Sequence, residues 1–112
     1  MKEENNAMET VKSYLSNLDS HNFEAAGEYL GSKIKIVGPA GEGFRNTKEF
    51  LEMMKIQQGK YEIKKSFAEG NDVAIFYNFK NEKATAFMAS WYTVNDGKIV
   101  SIKTIFDPSL FQ

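Results

Sequence analysis

Few residues in the chain have chemical reach. There is one histidine, His21, one arginine, Arg45, and no cysteine. The missing cysteine removes disulfides, thiol nucleophiles and cysteine metal sites together. A metal site would have to rest on carboxylates around a single histidine, and no carboxylate cluster appears, so neither a metal nor a cofactor is expected. A histidine can serve as base, ligand or surface residue. No acid or nucleophile is spaced around His21, which reads as an exposed turn residue. Arg45 reads as a solvated loop charge. The run Gly38-Pro39-Ala40-Gly41-Glu42-Gly43 has neither the G-x-G-x-x-G spacing nor the Gly-Lys-Ser/Thr ending of a phosphate cradle. The other chemical resource is aromatic: nine Phe, five Tyr and one Trp make up 13% of the chain. Such rings fill a core, line a pocket or form a subunit interface.

Charge narrows the partners. Fourteen basic residues against fifteen acidic ones leave a net charge of −1 with no like-charge block. Neither nucleic acid nor an anionic membrane is therefore an expected partner. A chain of 112 residues is of single-domain length. One domain is expected over residues 1–112, with the polar, acidic residues 1–6 as a flexible tail. That opening lacks the basic start and apolar run of a signal peptide, and no later apolar run is long enough to span a bilayer. The simplest compartment is the cytoplasm.

The elements that must position any site follow from periodicity. Met8, Val11, Leu15 and Leu18 recur at three- and four-residue steps, the stripe of an amphipathic helix. Asn22 caps a short second helix bearing Phe23, Ala26 and Leu30, and Gly31 fits the left-handed position that ends it. Residues 33–37 alternate around Ile34 and Ile36 as a strand, and the glycine-rich run after them is loop. Asn46 followed by Glu49 resembles a capping box and opens a third helix, with Phe50, Leu51 and Met54 inward, that stops near Gly59. Residues 61–68, 73–80, 84–94 and 98–106 are then strand after strand. Gly70-Asn71 and Asn95-Asp96-Gly97 are hairpin turns. Helices first and an antiparallel meander afterwards make an α+β fold with helices over one sheet face.

This order, α-α-β-α-β-β-β-β, resembles the nuclear transport factor 2-like superfamily, and within it the SnoaL-like domains related to polyketide cyclases and ketosteroid isomerases. The run from Val11 to Asn22, VKSYLSNLDSHN, is similar to the family's first helix and helix-helix corner. The runs DGKIV from Asp96 and IFDP from Ile105 are similar to its closing hairpin. The resemblance implies a cone-shaped, curved, mainly antiparallel sheet with three helices from the N-terminal half on its concave face, a cystatin-like topology. The scaffold hosts catalysts and plain binders alike.

The resemblance also supplies chemistry to test. Ketosteroid isomerase chemistry calls for a carboxylate base and an oxyanion hole of a tyrosine and a protonated aspartic acid. The tyrosine falls on Tyr14, but the base position holds Gly38, before Pro39, and the aspartate position falls near Ser90. Scytalone dehydratase-like chemistry needs cavity histidines, which a lone corner histidine does not supply. Limonene epoxide hydrolase-like chemistry needs an Asp-Arg-Asp trio, and a single Arg45 does not place one. No catalytic residue is therefore assigned. Tyr14 has two readings: a core-edge tyrosine one turn from Leu18, or a ligand-binding donor.

Register selects the pocket candidates. Lys103 and Ser101 outward turn Val100, Ile102, Thr104 and Phe106 toward the helices. The family pattern extends that inward face to Ala86, Met88, Ser90 and Tyr92, and to Val73, Ile75 and Tyr77. Tyr14, Phe50 and Met54 would close a mostly apolar cavity with a few hydroxyls, the make-up of a small-molecule site. The expected ligand-binding set is thus Tyr14, Phe50, Met54, Tyr77, Met88, Ser90, Tyr92 and Phe106, and the expected ligand a small apolar molecule. Phe76, Phe87 and Trp91 fall on the outer face, where exposed aromatics mark an interface, so a homodimer is expected. Three functions fit: a pocket protein for a small apolar molecule, an isomerase- or cyclase-like enzyme on a hydrophobic substrate, or a dimeric interaction module.

Overall fold

The structure, a computed structural model, describes residues 2–44 and 46–111, and the side chains of 6–44 and 46–110. Arg45 lies outside the described residues. The element order is α1 (Lys2–Asp19), α2 (Phe23–Gly27), β1 (Leu30–Gly38), β2 (Gly41–Glu42), α3 (Thr47–Ile56), β3 (Lys60–Glu69), β4 (Asp72–Lys80), β5 (Thr85–Asn95), β6 (Lys98–Ile105) and a final 3₁₀ turn (Pro108–Phe111). The α+β class and the three helices agree with the periodicity. The backbone of the segment expected as a tail is already helical from Lys2, while Met1 and the side chains of residues 2–5 lie outside the described part.

Six strands form one open sheet in the order β2-β1-β6-β5-β4-β3. β1 and β6 run parallel, and the other pairs are antiparallel. Register shifts interrupt the ladders at Leu30/Lys35, Ile63/Lys65 and Thr93/Val94. Each bends and twists its strand, which curves the sheet around the helices. The last shift corrects the β6 reading. Tyr92 pairs with Ile102 but Val94 pairs with Ile99. Ile99, not Val100, therefore fills the inward place, fully buried, while Val100 is half-buried.

The helical stripe becomes the core. Val11, Tyr14, Leu15 and Leu18 of α1 are buried against the sheet, together with Ala7 from the turn before them. The strand alternation holds: on β5, Ala86, Met88, Ser90, Tyr92 and Val94 are buried, and the residues between them are not. α2 ends earlier than its pattern suggested. Leu30 begins β1, and Gly31 is a strand residue without a positive φ. The backbone explains why: Ile99 N–H donates to the Tyr29 carbonyl at 2.7 Å, drawing this segment onto β6.

Two corners fix the helices relative to the sheet. Asp19 at the end of α1 accepts from the backbone N–H of Tyr61 at 2.9 Å, and Lys60 Nζ donates to the Asp19 carbonyl at 3.0 Å. Asn46 Oδ1 accepts from Glu49 N–H at 2.9 Å, the expected α3 cap, and the Thr47 hydroxyl donates to the Gly31 carbonyl. Gly59 has a second role besides following α3. A Cβ there would lie 2.5 Å from the Lys80 carbonyl oxygen and 2.6 Å from the Phe79 ring. Only glycine lets the chain enter β3 so close to β4. The β5–β6 turn places Asp96 and Gly97 at φ 51° and 75°, the two positive values a type I′ hairpin requires.

Candidate functional site

The concave face of the sheet, α1 and α3 enclose a cavity of about 470 Å³. All eight side chains expected to meet a ligand line it, brought together from four elements and the segment after β6. Tyr14 comes down from α1, Phe50 and Met54 from α3, Tyr77 from β4, and Met88, Ser90 and Tyr92 from consecutive inward positions of β5. Phe106 stands just past β6, at the end where Pro39, Ala40, Gly41 and Pro108 are solvent-exposed. These exposed residues mark the mouth.

The glycine-rich run is more ordered than a loop. Gly41–Glu42 forms β2 and pairs back on β1, Val37 opposite Glu42 and Gly38 opposite Gly41. Gly41 takes φ 108°, so an L-residue there would be strained. Gly43 N–H donates to the Ile36 carbonyl at 3.1 Å. The resulting short hairpin forms one rim of the cavity. Glu42, the charged side chain among the described lining residues, pairs with Lys35 at 3.3 Å.

The sheet side of the wall carries a row of linked hydroxyls. The Tyr77 hydroxyl lies 2.9 Å from Ser90 Oγ, and Ser90 Oγ lies 2.8 Å from Thr104 Oγ1. The row crosses three adjacent strands, β4, β5 and β6. Ser90 is the one buried polar residue of the described core, and this row satisfies it. Thr104 was placed inward by register, but its link to Ser90 was not foreseen. Tyr61 was missed as a lining residue. Its partnership with Phe79 across β3–β4 is what turns it inward, and only the pairing register reveals that.

Four tyrosines face this space and burial keeps their phenols protonated. Burial is the main cause for Tyr14, well above its ordinary value, with Tyr61 and Tyr77 adding to it. Tyr92 is raised in the same way by burial, Tyr77 and Tyr14, against hydrogen bonding to Ser90. Tyr61 is pushed up by burial, then Tyr77 and Asp19. Tyr77 is also raised by burial, opposed chiefly by its hydrogen bond with Ser90. The rings of Tyr14 and Tyr92 meet edge to face at 6.3 Å. Tyr14 is thus both a core side chain and a cavity wall.

Other chemically capable residues fall away from the cavity. His21 is exposed in the α1–α2 corner at φ 60°, stacked on Phe23, with Nε2 3.3 Å from the Gly59 carbonyl oxygen. Asp107 accepts from Ser109 N–H at 3.0 Å and from its hydroxyl at 2.7 Å. These bonds hold its carboxyl below the usual range and organise the turn at Pro108. Gly38, where a proton-abstracting base would stand, lines the cavity. Among the described residues no group of three His, Asp or Glu could hold a metal ion, and no helix is long and apolar enough to cross a membrane.

The outer face of the sheet is aromatic. Phe87 (60%), Trp91 (48%), Phe67 (59%) and Ile105 (68%) are substantially exposed there. Phe76 is half-buried between Phe67 and Phe87, with ring centroids 6.2 and 6.3 Å away. Trp91 Nε1 donates to Asp72 at 2.9 Å, and Lys103 Nζ sits 4.6 Å from its ring centroid. Phe67 and Ile105 extend the expected trio of Phe76, Phe87 and Trp91.

A curved, mainly antiparallel sheet with three helices on its concave face and a cavity between sheet and helices defines a nuclear transport factor 2-like protein. The SnoaL-like domain matches residues 11–102, and the chain belongs to that family. Solved structures agree. An NTF2-like protein of unknown function from Cytophaga hutchinsonii is 29% identical, with a TM-score of 0.88 over 95% of both chains. A candidate ketosteroid isomerase from Kribbella flavida, 13% identical, superposes at 0.87 over 94% of this chain and 80% of that one. An LEH-like epoxide hydrolase from M. tuberculosis, 18% identical, superposes at 0.80 over 96% and 86%. At such identities the last two establish the fold alone. No curated protein gives a significant match.

Proposed function

We propose that this domain binds a small apolar molecule in its cone cavity. The observation that carries the reading is a 470 Å³ space walled by Phe, Met and Tyr side chains, with the linked hydroxyls of Tyr77, Ser90 and Thr104 on its sheet wall. Volumes of this order and a few convergent polar groups among apolar ones are typical of small-molecule sites. Native mass spectrometry of the purified protein, followed by calorimetric titration with two-ring aromatic compounds, tests it. Micromolar binding of one molecule per chain is the expected result, and no binding by any of them overturns the reading. The cytoplasm is the compartment we propose with it, on composition alone.

An isomerase- or cyclase-like reaction is the alternative for the same cavity, supported by the fold shared with a candidate ketosteroid isomerase. Proton transfer needs a positioned base, and the position read for one carries Gly38.

A second reading concerns the outer face, where exposed Phe67, Phe87, Trp91 and Ile105 support a homodimer formed sheet to sheet. Contiguous exposed apolar surface of this kind is a usual mark of association.

A further inference from the structure

The walls of the cavity differ in how they are anchored. α1 brings Tyr14, Leu15 and Leu18 to it and α3 brings Phe50, all four buried. The sheet wall is laddered from β4 through β5 to β6, and the turn at Pro108 is tied by the bonds from Ser109 to Asp107. Residues 37–44 make another side, and every one of them lines the space.

Strand pairing shows where this segment leaves the body of the domain. β1 is paired with β6 as far as Val37, opposite Lys103, although β6 runs on to Ile105. From Gly38 the chain turns back on itself, Gly38 opposite Gly41 and Val37 opposite Glu42. A Cβ added at Gly38, Gly41 or Gly43 would meet nothing within 4 Å, so nothing is packed on the hairpin at those points. Phe44 rejoins the body, its ring 5.4 Å from that of buried Phe50. The overhang thus begins and ends at a glycine, and backbones of that kind absorb large φ/ψ changes. Segments with so few buried contacts open locally at little free-energy cost.

Lys35, on the paired part of β1, reaches across to Glu42 on the overhang at 3.3 Å, with both side chains largely exposed. An exposed pair of this kind is weak and is screened by salt. It holds the hairpin in place and yields easily.

We propose that residues 38–43 are a flap, hinged at Gly38 and Gly43 and latched by Lys35 and Glu42, whose opening admits and releases the cavity's occupant. Opening it removes one wall without unpacking α1, α3 or the sheet. This inference rests on the pocket reading above.

Stopped-flow fluorescence with the uncharged dye N-phenyl-1-naphthylamine tests it, because salt then acts on the protein alone. In Glu42→Gln the association and dissociation rate constants should both rise about two- to fivefold, by the same factor. Raising sodium chloride from about 20 to about 500 mM should do this to the wild type and little to the variant. Val37 and Glu42 are a non-hydrogen-bonded pair, since beside them Gly43 N–H donates to the Ile36 carbonyl. In Val37→Cys/Glu42→Cys the two thiols are therefore close enough to join. The oxidised protein should bind and release the dye at least about tenfold more slowly than the reduced one, as a barred conformational step demands. Without dye, amide hydrogen exchange at residues 38–43 should outpace that of the β1–β6 ladder, and oxidation should slow it. Equal dye kinetics in the oxidised and reduced forms, or exchange at 38–43 as slow as in the ladder, overturns the flap while the pocket reading stands. Where the double variant does not fold, Glu42→Gln decides, and rates unchanged from the wild type at low salt overturn the flap. Failure of this dye and of every two-ring compound to bind overturns the pocket reading, and the flap's role with it.

Discussion

The Tyr77 hydroxyl and Ser90 Oγ meet at 2.9 Å across the β4–β5 ladder, inside the sheet face that packs on the helices. Neither is positioned by the residue directly opposite it, since Tyr77 pairs with Met88 and Ser90 with Ile75. Their contact is diagonal, which a tyrosine is long enough to make.

Ser90→Ala takes a partner from both Tyr77 and Thr104, while in Tyr77→Phe the Ser90 hydroxyl keeps Thr104. Ser90→Ala should destabilise the fold by about 1–2 kcal/mol, because an unpaired buried hydroxyl keeps its desolvation penalty, and Tyr77→Phe by less. The melting temperature should fall by several degrees in the first and by less in the second. The double variant should cost clearly less than the sum, as the second change removes the group the first left unpaired. Thermal and urea unfolding of the four proteins measure this cycle. Strict additivity would show the two hydroxyls to be independent.

The raised phenols make a prediction at alkaline pH. Tyr14, Tyr61, Tyr77 and Tyr92 all have folded pKa values above the unfolded value of about 10. Above that value the unfolded chain has lost these protons and the native one still holds them. Stability then falls as pH rises, by about 1.4 kcal/mol per pH unit for each such group. The contribution is fully present below pH 10. The protein should therefore unfold steeply over a narrow range above it, with phenolate absorbance appearing together with the loss of circular dichroism. Independent titration of these tyrosines in a folded protein would contradict the burial argument.

Much of this site was readable in the sequence because register is binary. Once Lys103 faces solvent, alternation turns Ile102, Thr104 and Phe106 inward, and the family pattern extends that face to Met88, Ser90 and Tyr92 on β5. What failed did so where alternation is locally suspended. The shift at Thr93/Val94 put Ile99 in the place read for Val100. Gly31 looked like a helix stop, but Leu30 beside it is claimed by pairing with β6, a long-range contact that local propensity does not encode. The Gly41–Glu42 hairpin was hidden in the same way among residues of low strand propensity. Side-chain links such as Ser90 to Thr104 depend on distances between strands, and a one-dimensional pattern carries no such distances.

Filling the cavity should abolish binding while sparing the fold. Ser90 faces the 470 Å³ space, so the indole of Ser90→Trp has room to enter it rather than displace the core. Affinity for a two-ring aromatic compound that the wild type binds should drop at least a hundredfold, with far-ultraviolet circular dichroism retained. Unchanged affinity in a folded variant would move the site elsewhere.

Isomerisation of a Δ5-3-ketosteroid should be undetectable with the wild-type protein. Gly38 occupies the position where the resemblance puts the base, and glycine offers no group to move a proton. Saturable turnover in an absorbance assay, lost in Tyr14→Phe, would show that another residue supplies the base.

The aromatic outer face should hold two copies together. Asn78 opposite Phe87, Phe76 opposite Ala89 and Ala74 opposite Trp91 fix these side chains on the side away from the helices, and Phe67 and Ile105 widen the patch on either flank. Water left against such a surface is costly: burying a large apolar side chain contributes roughly 1.5–3 kcal/mol. A few per subunit, each used twice by a two-fold axis, suffice for a stable pair once the loss of rigid-body freedom is set against them. Trp91 is the most informative residue to change. It lies in the patch with its indole N–H already committed to Asp72 and its face covered by Lys103, so a substitution leaves the helical core untouched. Trp91→Glu would remove the apolar indole and put a carboxylate beside Lys103 in the middle of the contact, where desolvating the charges opposes association. Sedimentation velocity at micromolar concentration should show the wild type as a dimer and Trp91→Glu as a folded monomer. A monomeric wild type, or a Trp91→Glu protein that stays fully dimeric, would rule out this face as the contact.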